Sequence, residues 1–140
     1  MEVLSSRPKL VSFRATSFQG ENKAASSGQE PWNIELKQLI EVGLGAQPNM
    51  PASLQAVVKI DLTARASKEG ATDQVANFSA SYEAKFDYPA TVTEAEILPR
   101  FQQEPYQYVL VAQVFPLAMT HFRREMQSMG FDARSMPLGM

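Results

Sequence analysis

His121 is the only imidazole in this 140-residue chain, and there is no cysteine. A lone histidine has neither the second base of a catalytic triad nor the companion ligands of a metal centre. The absence of cysteine removes thiol nucleophiles, thiolate metal sites and disulfides, and fits a reducing compartment. No phosphate-cradling Gly-rich loop, HExxH or GxSxG is present. Carboxylates alternate with lysines along segments such as Glu35–Lys37 and Asp61–Lys59, a pattern of solvated faces. Enzymatic chemistry, a metal and a cofactor are therefore not expected. The residues that stand out instead are apolar: Phe78, Tyr82, Phe86 and Tyr88 at even spacing, and seven methionines, five of them from Met119 onward. Aromatic and thioether side chains on a surface adapt to many apolar partners; beneath a helix they are simply core.

The elements that must position these residues follow from periodicity. Three segments alternate with period two, as strands do when one face is buried and the other wet. They are Trp32 to Leu44 (Trp32, Ile34, Leu36, Ile40, Val42 and Leu44 on one face), Leu54 to Ala66, and Val75 to Tyr88. The connections Gly45–Pro51 and Ser67–Asp73 are short and carry Gly, Pro or polar residues, so consecutive strands are expected to pair as antiparallel hairpins. Lys9 to Phe18 alternates more weakly and reads as an edge strand, and Gly20 to Gln29 as a polar loop.

From about Gln103 to Met129 the period changes to three and four, with Tyr108, Val111, Phe115, Met119, Phe122 and Met126 on one stripe. Pro105 suits the first turn, Pro116 is expected to kink the middle, and Gly130 to stop the helix. Leu110, Val114 and Leu117 fall off that stripe and are candidates for an oligomer interface. The expected fold is α+β: a four-stranded antiparallel β-meander with one long C-terminal helix packed on or beside the sheet, in a single domain over residues 1–140, with residues 1–8 and 131–140 irregular.

The formal charge of −2 comes from mixed signs, which leaves no electrostatic footprint for nucleic acid. The N-terminus lacks a signal peptide's apolar core, and no stretch is long enough to span a bilayer, so a soluble, cytoplasmic protein without membrane insertion is expected.

In order along the chain stand Thr16-Ser17-Phe18, then Glu30-Pro31-Trp32 opening Ile34-Glu35-Leu36, then Val114-Phe115-Pro116-Leu117-Ala118 inside the long helix, then Ser128-Met129-Gly130-Phe131 and Ser135-Met136-Pro137-Leu138. The arrangement resembles SecB, the bacterial export chaperone. The resemblance implies an ATP-independent chaperone, a tetrameric dimer of dimers, that holds unfolded preproteins in apolar grooves. Phe18, Trp32, Ile34 and Leu36 would line or border the groove, with Phe78, Tyr82 and Phe86 as further client-binding candidates. Departures are expected too. The family's second helix, which flanks the groove, is missing after Met140, and Ala15 and Gln19 stand where carboxylates would dock the SecA motor, which leaves SecA engagement open. A specialised SecB-like chaperone for a toxin–antitoxin partner, or an adaptor for one client, is the alternative. A hot-dog-type ligand binder or enzyme is disfavoured because that fold places its helix early.

Overall fold

The computed structural model describes residues 7–23, 32–47, 53–68 and 74–131. Four long strands, β1 (Lys9–Asn22), β2 (Trp32–Gln47), β3 (Ser53–Lys68) and β4 (Gln74–Asp87), are followed by a short helix α1 (Glu94–Phe101) and a long helix α2 (Glu104–Ser128). The expected connections and tail that fall at 24–31, 48–52, 69–73 and 132–140 lie outside the described residues.

All strand pairs are antiparallel, in the order β1-β4-β3-β2. This corrects the expected meander. β2, β3 and β4 do run as successive neighbours, but β1 crosses to pair with β4, which makes a Greek key. Local alternation specifies which face of a strand is buried and says nothing about which edge the first strand joins. The second correction concerns the helices: there are two, so the expectation of one helix with a second missing is overturned. Along the chain α1 lies between β4 and α2. It is held by a capping box in which Thr93 Oγ1 accepts from the Glu96 amide at 3.3 Å and Glu96 Oε1 accepts from the Thr93 amide at 3.2 Å. Its Ile97 and Phe101 are buried.

The core is the inner face of β3 and β4 beneath α2. On β4 that face reads Ala76, Phe78, Ala80, Tyr82, Ala84, Phe86, a strict alternation of alanine with an aromatic ring, and all six are buried. Opposite them on β3 stand Ala66, Ala64, Leu62, Ile60, Val58 and Ala56. Most cross-strand rows thus pair a large side chain with a small one, as in Phe86 with Ala56, Phe78 with Ala64 and Ala80 with Leu62. This interdigitation lets a helix lie close to the sheet. α2 contributes Leu110, Val111, Val114, Phe115, Ala118, Met119, Phe122 and Met126 to the same core. Each large side chain so buried stabilises the fold by about 1.5–3 kcal/mol.

Pro116 sits inside α2 without ending it. The helix stops at Gly130, whose φ of +82° suits a residue without a Cβ. There the Phe131 amide donates to the Met126 carbonyl at 3.0 Å and the Gly130 amide to Gln127 at 2.9 Å, a Schellman closure. Asn22 Nδ2 donates to the Met129 carbonyl at 3.0 Å, which ties β1 to this terminus.

Two hydroxyl contacts tie α2 to β4 and to Tyr88 just beyond it. Tyr82 Oη meets His121 Nδ1 at 2.8 Å, and Tyr88 pairs with the Tyr106 hydroxyl. Burial, with Glu125 nearby, raises the Tyr82 hydroxyl well above its ordinary pKa of 10.0. Burial and the bond to Tyr106 do the same for Tyr88. Both stay protonated in the folded chain where the unfolded chain ionises. Above about pH 10 the unfolded state therefore binds fewer protons, and stability falls as pH rises, by up to about 1.4 kcal/mol per pH unit for each tyrosine. Urea midpoints between pH 9 and 11 should show this decline, with a shallower slope in Tyr88→Phe; equal slopes would contradict it.

Gly20 marks the tightest point of β1. A Cβ there would meet Met129 Sδ at 2.5 Å and the Phe78 ring at 2.8 Å; the thioether can swing aside, but the fully buried ring cannot. Gly20→Ala is expected to cost about 1–3 kcal/mol in denaturant unfolding, as overpacking does. Gly43→Ala, with open space around its Cβ, should be neutral or slightly stabilising.

Candidate functional site

α2 lies over β3, β4 and β1, and leaves the inward apolar residues of both edge strands only partly buried, most extensively along β2. On β2 the inward residues Ile34, Leu36, Ile40, Val42 and Leu44 are each only partly buried, while the β3 residues paired with them are closed from solvent. β2 is also an edge strand, so one row of its backbone N–H and C=O groups has no strand partner among the described residues. The result is an apolar shelf of alternating side chains beside an unpaired strand.

Where the shelf meets the start of α2 it deepens into an open groove of about 480 Å³, lined by Ile40, Val42, Glu104, Pro105, Gln107, Tyr108 and Val111. Pro105, Tyr108 and Val111 recur at spacings of three, so they share the helix face turned to β2. Glu104 is the charged member of the lining.

The residues singled out in the sequence separate into three places. Ile34 and Leu36 lie on the shelf. Trp32 opens β2 in the backbone, and its side chain lies outside the described residues. Phe18 sits on β1, at the opposite edge of the sheet, and packs against Phe78 and Phe122 at ring distances of 6.4 and 6.2 Å. With two strands between them, Phe18 and the β2 shelf are about 14 Å apart in the pairing direction. Phe78, Tyr82 and Phe86 form the floor beneath α2, each at most 1% exposed. On the helix, Leu110 and Val114 pack on the sheet within the chain, whereas Leu117 and Val109 lie on the outer surface at 41% and 57% exposure, and Tyr108, 59% exposed, stands at the groove.

Ile40, Val42 and Leu44 were not singled out as site residues, although they continue the even-numbered face of Ile34 and Leu36. The sequence reports that they face inward; how far the helix extends over them is a tertiary fact. Pro105 and Tyr108 were read as helix start and helix stripe, with no signal that they form a wall.

Polar chemistry around the core is already committed. His121 spends Nδ1 on Tyr82 and turns Nε2 to Glu125 Oε1 at 3.5 Å. Among the described residues no cluster of three or more histidines or carboxylates is placed to hold a metal ion, and no helix is long and apolar enough to cross a membrane. The outer face of the sheet carries a row of alternating sign, Glu41, Lys59, Glu83 and Arg14 in register across the four strands, with Arg14 Nη2 and Glu83 Oε1 3.1 Å apart. Such a row stabilises neighbouring strands and projects little net field.

No family model matches the sequence, and no curated protein matches it. Among solved structures, the chain is similar to the Mycobacterium tuberculosis Rv1957 SecB-like chaperone, solved in complex with a ChAD peptide from the Rv1956 HigA1 antitoxin. The TM-score is 0.60 at 20% identity, over 96% of this chain and 88% of that one. The resemblance carried by the Trp32 and Phe115-Pro116 segments is thus met in three dimensions, and the chain has the fold of the SecB-like chaperones.

Proposed function

We propose that this protein is a SecB-like holding chaperone that takes extended apolar segments of client chains onto the β2 shelf and into the groove beside α2. The observation that carries the reading is the partly covered apolar face of β2, set beside β3 and β4, whose inner faces are closed. Each shelf residue keeps part of its side chain open, within reach of a client without any rearrangement of the core. Its side chains repeat every second residue, so an extended client matches them in period, and the unpaired edge of β2 offers backbone hydrogen bonds. Ile34, Leu36, Ile40 and Val42 are the contact residues on this reading. Phe78, Tyr82 and Phe86 serve as the rigid floor, and Phe18 belongs to a separate apolar margin along β1.

A narrow client range, of the toxin–antitoxin kind, is favoured over general preprotein export. The supporting observation is that the structurally similar chaperone holds an antitoxin peptide. The alternating charges of the outer sheet face point the same way, because an acidic dock for the SecA motor needs one sign of charge.

Molar excess of the protein, without nucleotide, should slow aggregation of a chemically unfolded client that carries an extended apolar segment. Ile40→Lys and Val42→Lys should lose that effect while keeping the wild-type circular dichroism spectrum, since a lysine at a half-open position can lift its ammonium into water. Aggregation at the same rate with and without the wild-type protein would overturn the reading.

Assembly is part of the same proposal. The outward surface of α2 presents the apolar side chains of Val109 and Leu117 to solvent. A second copy is the occupant implied by the resemblance, which gives a tetramer. Native mass should therefore fall to smaller species in Val109→Glu and Leu117→Glu, because association would bury an unpaired charge at a cost of several kcal/mol. Leu110 and Val114 already lie in the core of the single chain, so a charge there would report on folding first. A monomeric wild-type protein would contradict this assembly.

A further inference from the structure

The β2 shelf is interrupted once. Between Leu36 and Ile40, on the same inward face, stands Gln38, exposed and making no side-chain hydrogen bond among the described residues. Its cross-strand partner, Leu62, is fully buried, so the amide sits at the boundary between closed core and open shelf. It divides the shelf into a pair, Ile34 and Leu36, and a longer run from Ile40, whose side borders the groove and Glu104.

We propose that Gln38 is a specificity-determining residue, selecting extended client segments in which a hydrogen-bonding side chain lies between two alternating apolar pairs, with a basic residue at the flank. The inference rests on the β2 shelf being the client site. While the shelf is open, water satisfies the Gln38 amide. A client strand laid beside β2 displaces that water over the whole shelf, and a buried amide left without a partner is penalised by its full desolvation. An Asn, Gln, Ser or Thr opposite Gln38 restores the lost bonds, and a leucine does not. The flanking lysine answers the Glu104 carboxylate at the groove. Selection of this kind works by penalising the wrong segment as much as by rewarding the right one.

The test uses two synthetic thirteen-residue peptides with lysine at each end, serine and leucine alternating between them so that the lysines, the leucines and the centre share one face, and either asparagine or leucine at the centre. The pattern reads the same in both directions, so it serves parallel and antiparallel pairing alike. Wild-type protein should bind the asparagine peptide about tenfold tighter by fluorescence anisotropy or calorimetry, equivalent to about 1.4 kcal/mol. Gln38→Leu should invert the preference, and Gln38→Ala, which carries no amide to satisfy, should abolish it. Equal affinity of the wild-type protein for both peptides overturns the role of Gln38. Failure to bind either peptide while an unfolded client is still held overturns the placement on β2, and failure of both overturns the chaperone reading with it.

Discussion

Everything in this molecule depends on one surface, the inner face of β4, where an aromatic ring follows every alanine from Ala76 to Phe86. The rings supply the buried area, and the alanines leave room for a helix to approach. α2 answers with Phe115, Met119, Phe122 and Met126, and tyrosine hydroxyls pin it at two points. The adaptable thioethers of Met119 and Met126 are used here to fill the core. Because this contact is complete, the helix has a fixed line over the sheet, and that line determines which apolar residues remain outside it.

The uncovered margin of β2 is therefore a property of the helix position as much as of β2. Gln38 apart, its even-numbered residues from Ile34 to Leu44 are as apolar as those of β3, yet β3 is closed and β2 is partly open. An apolar strand left at an edge is normally a hazard, blunted by charges, bulges or a cover. Here the protection is partial: Glu35, Lys37 and Glu41 keep the outer face wet, while the inner face stays available. The proposed holding function requires such an edge exposed and the chain's own core settled beforehand.

The strands were legible because a one-sided sheet writes period two directly into the chain, and Trp32 to Leu44 or Val75 to Tyr88 show it with hardly an exception. α2 was legible from its three–four stripe. α1 was not, although Thr93-Glu94-Ala95-Glu96 is a capping box, because an eight-residue helix with Pro99 inside it is too short to show a periodic stripe. Strand order was hidden for a deeper reason: the pairing of β1 with β4 is decided by contacts far along the chain, and no local pattern encodes them. The same holds for the site. Ile34 and Leu36 were visible as inward residues, but the separation of Phe18 from them depends on which edge β1 occupies.

That crossing gives the chain a particular order of events during synthesis. β1 leaves the ribosome first, yet its partner β4 begins about 50 residues later, with β2 and β3 between. At ordinary translation rates β1 waits on the order of 3–10 s with Phe13 and Phe18 unpaired. The hairpins from β2 to β4 can close locally in the meantime, and β1 must then find its edge through a long-range closure of the slow, non-local kind. The nascent protein thus spends its first seconds with an extended apolar segment and no partner for it.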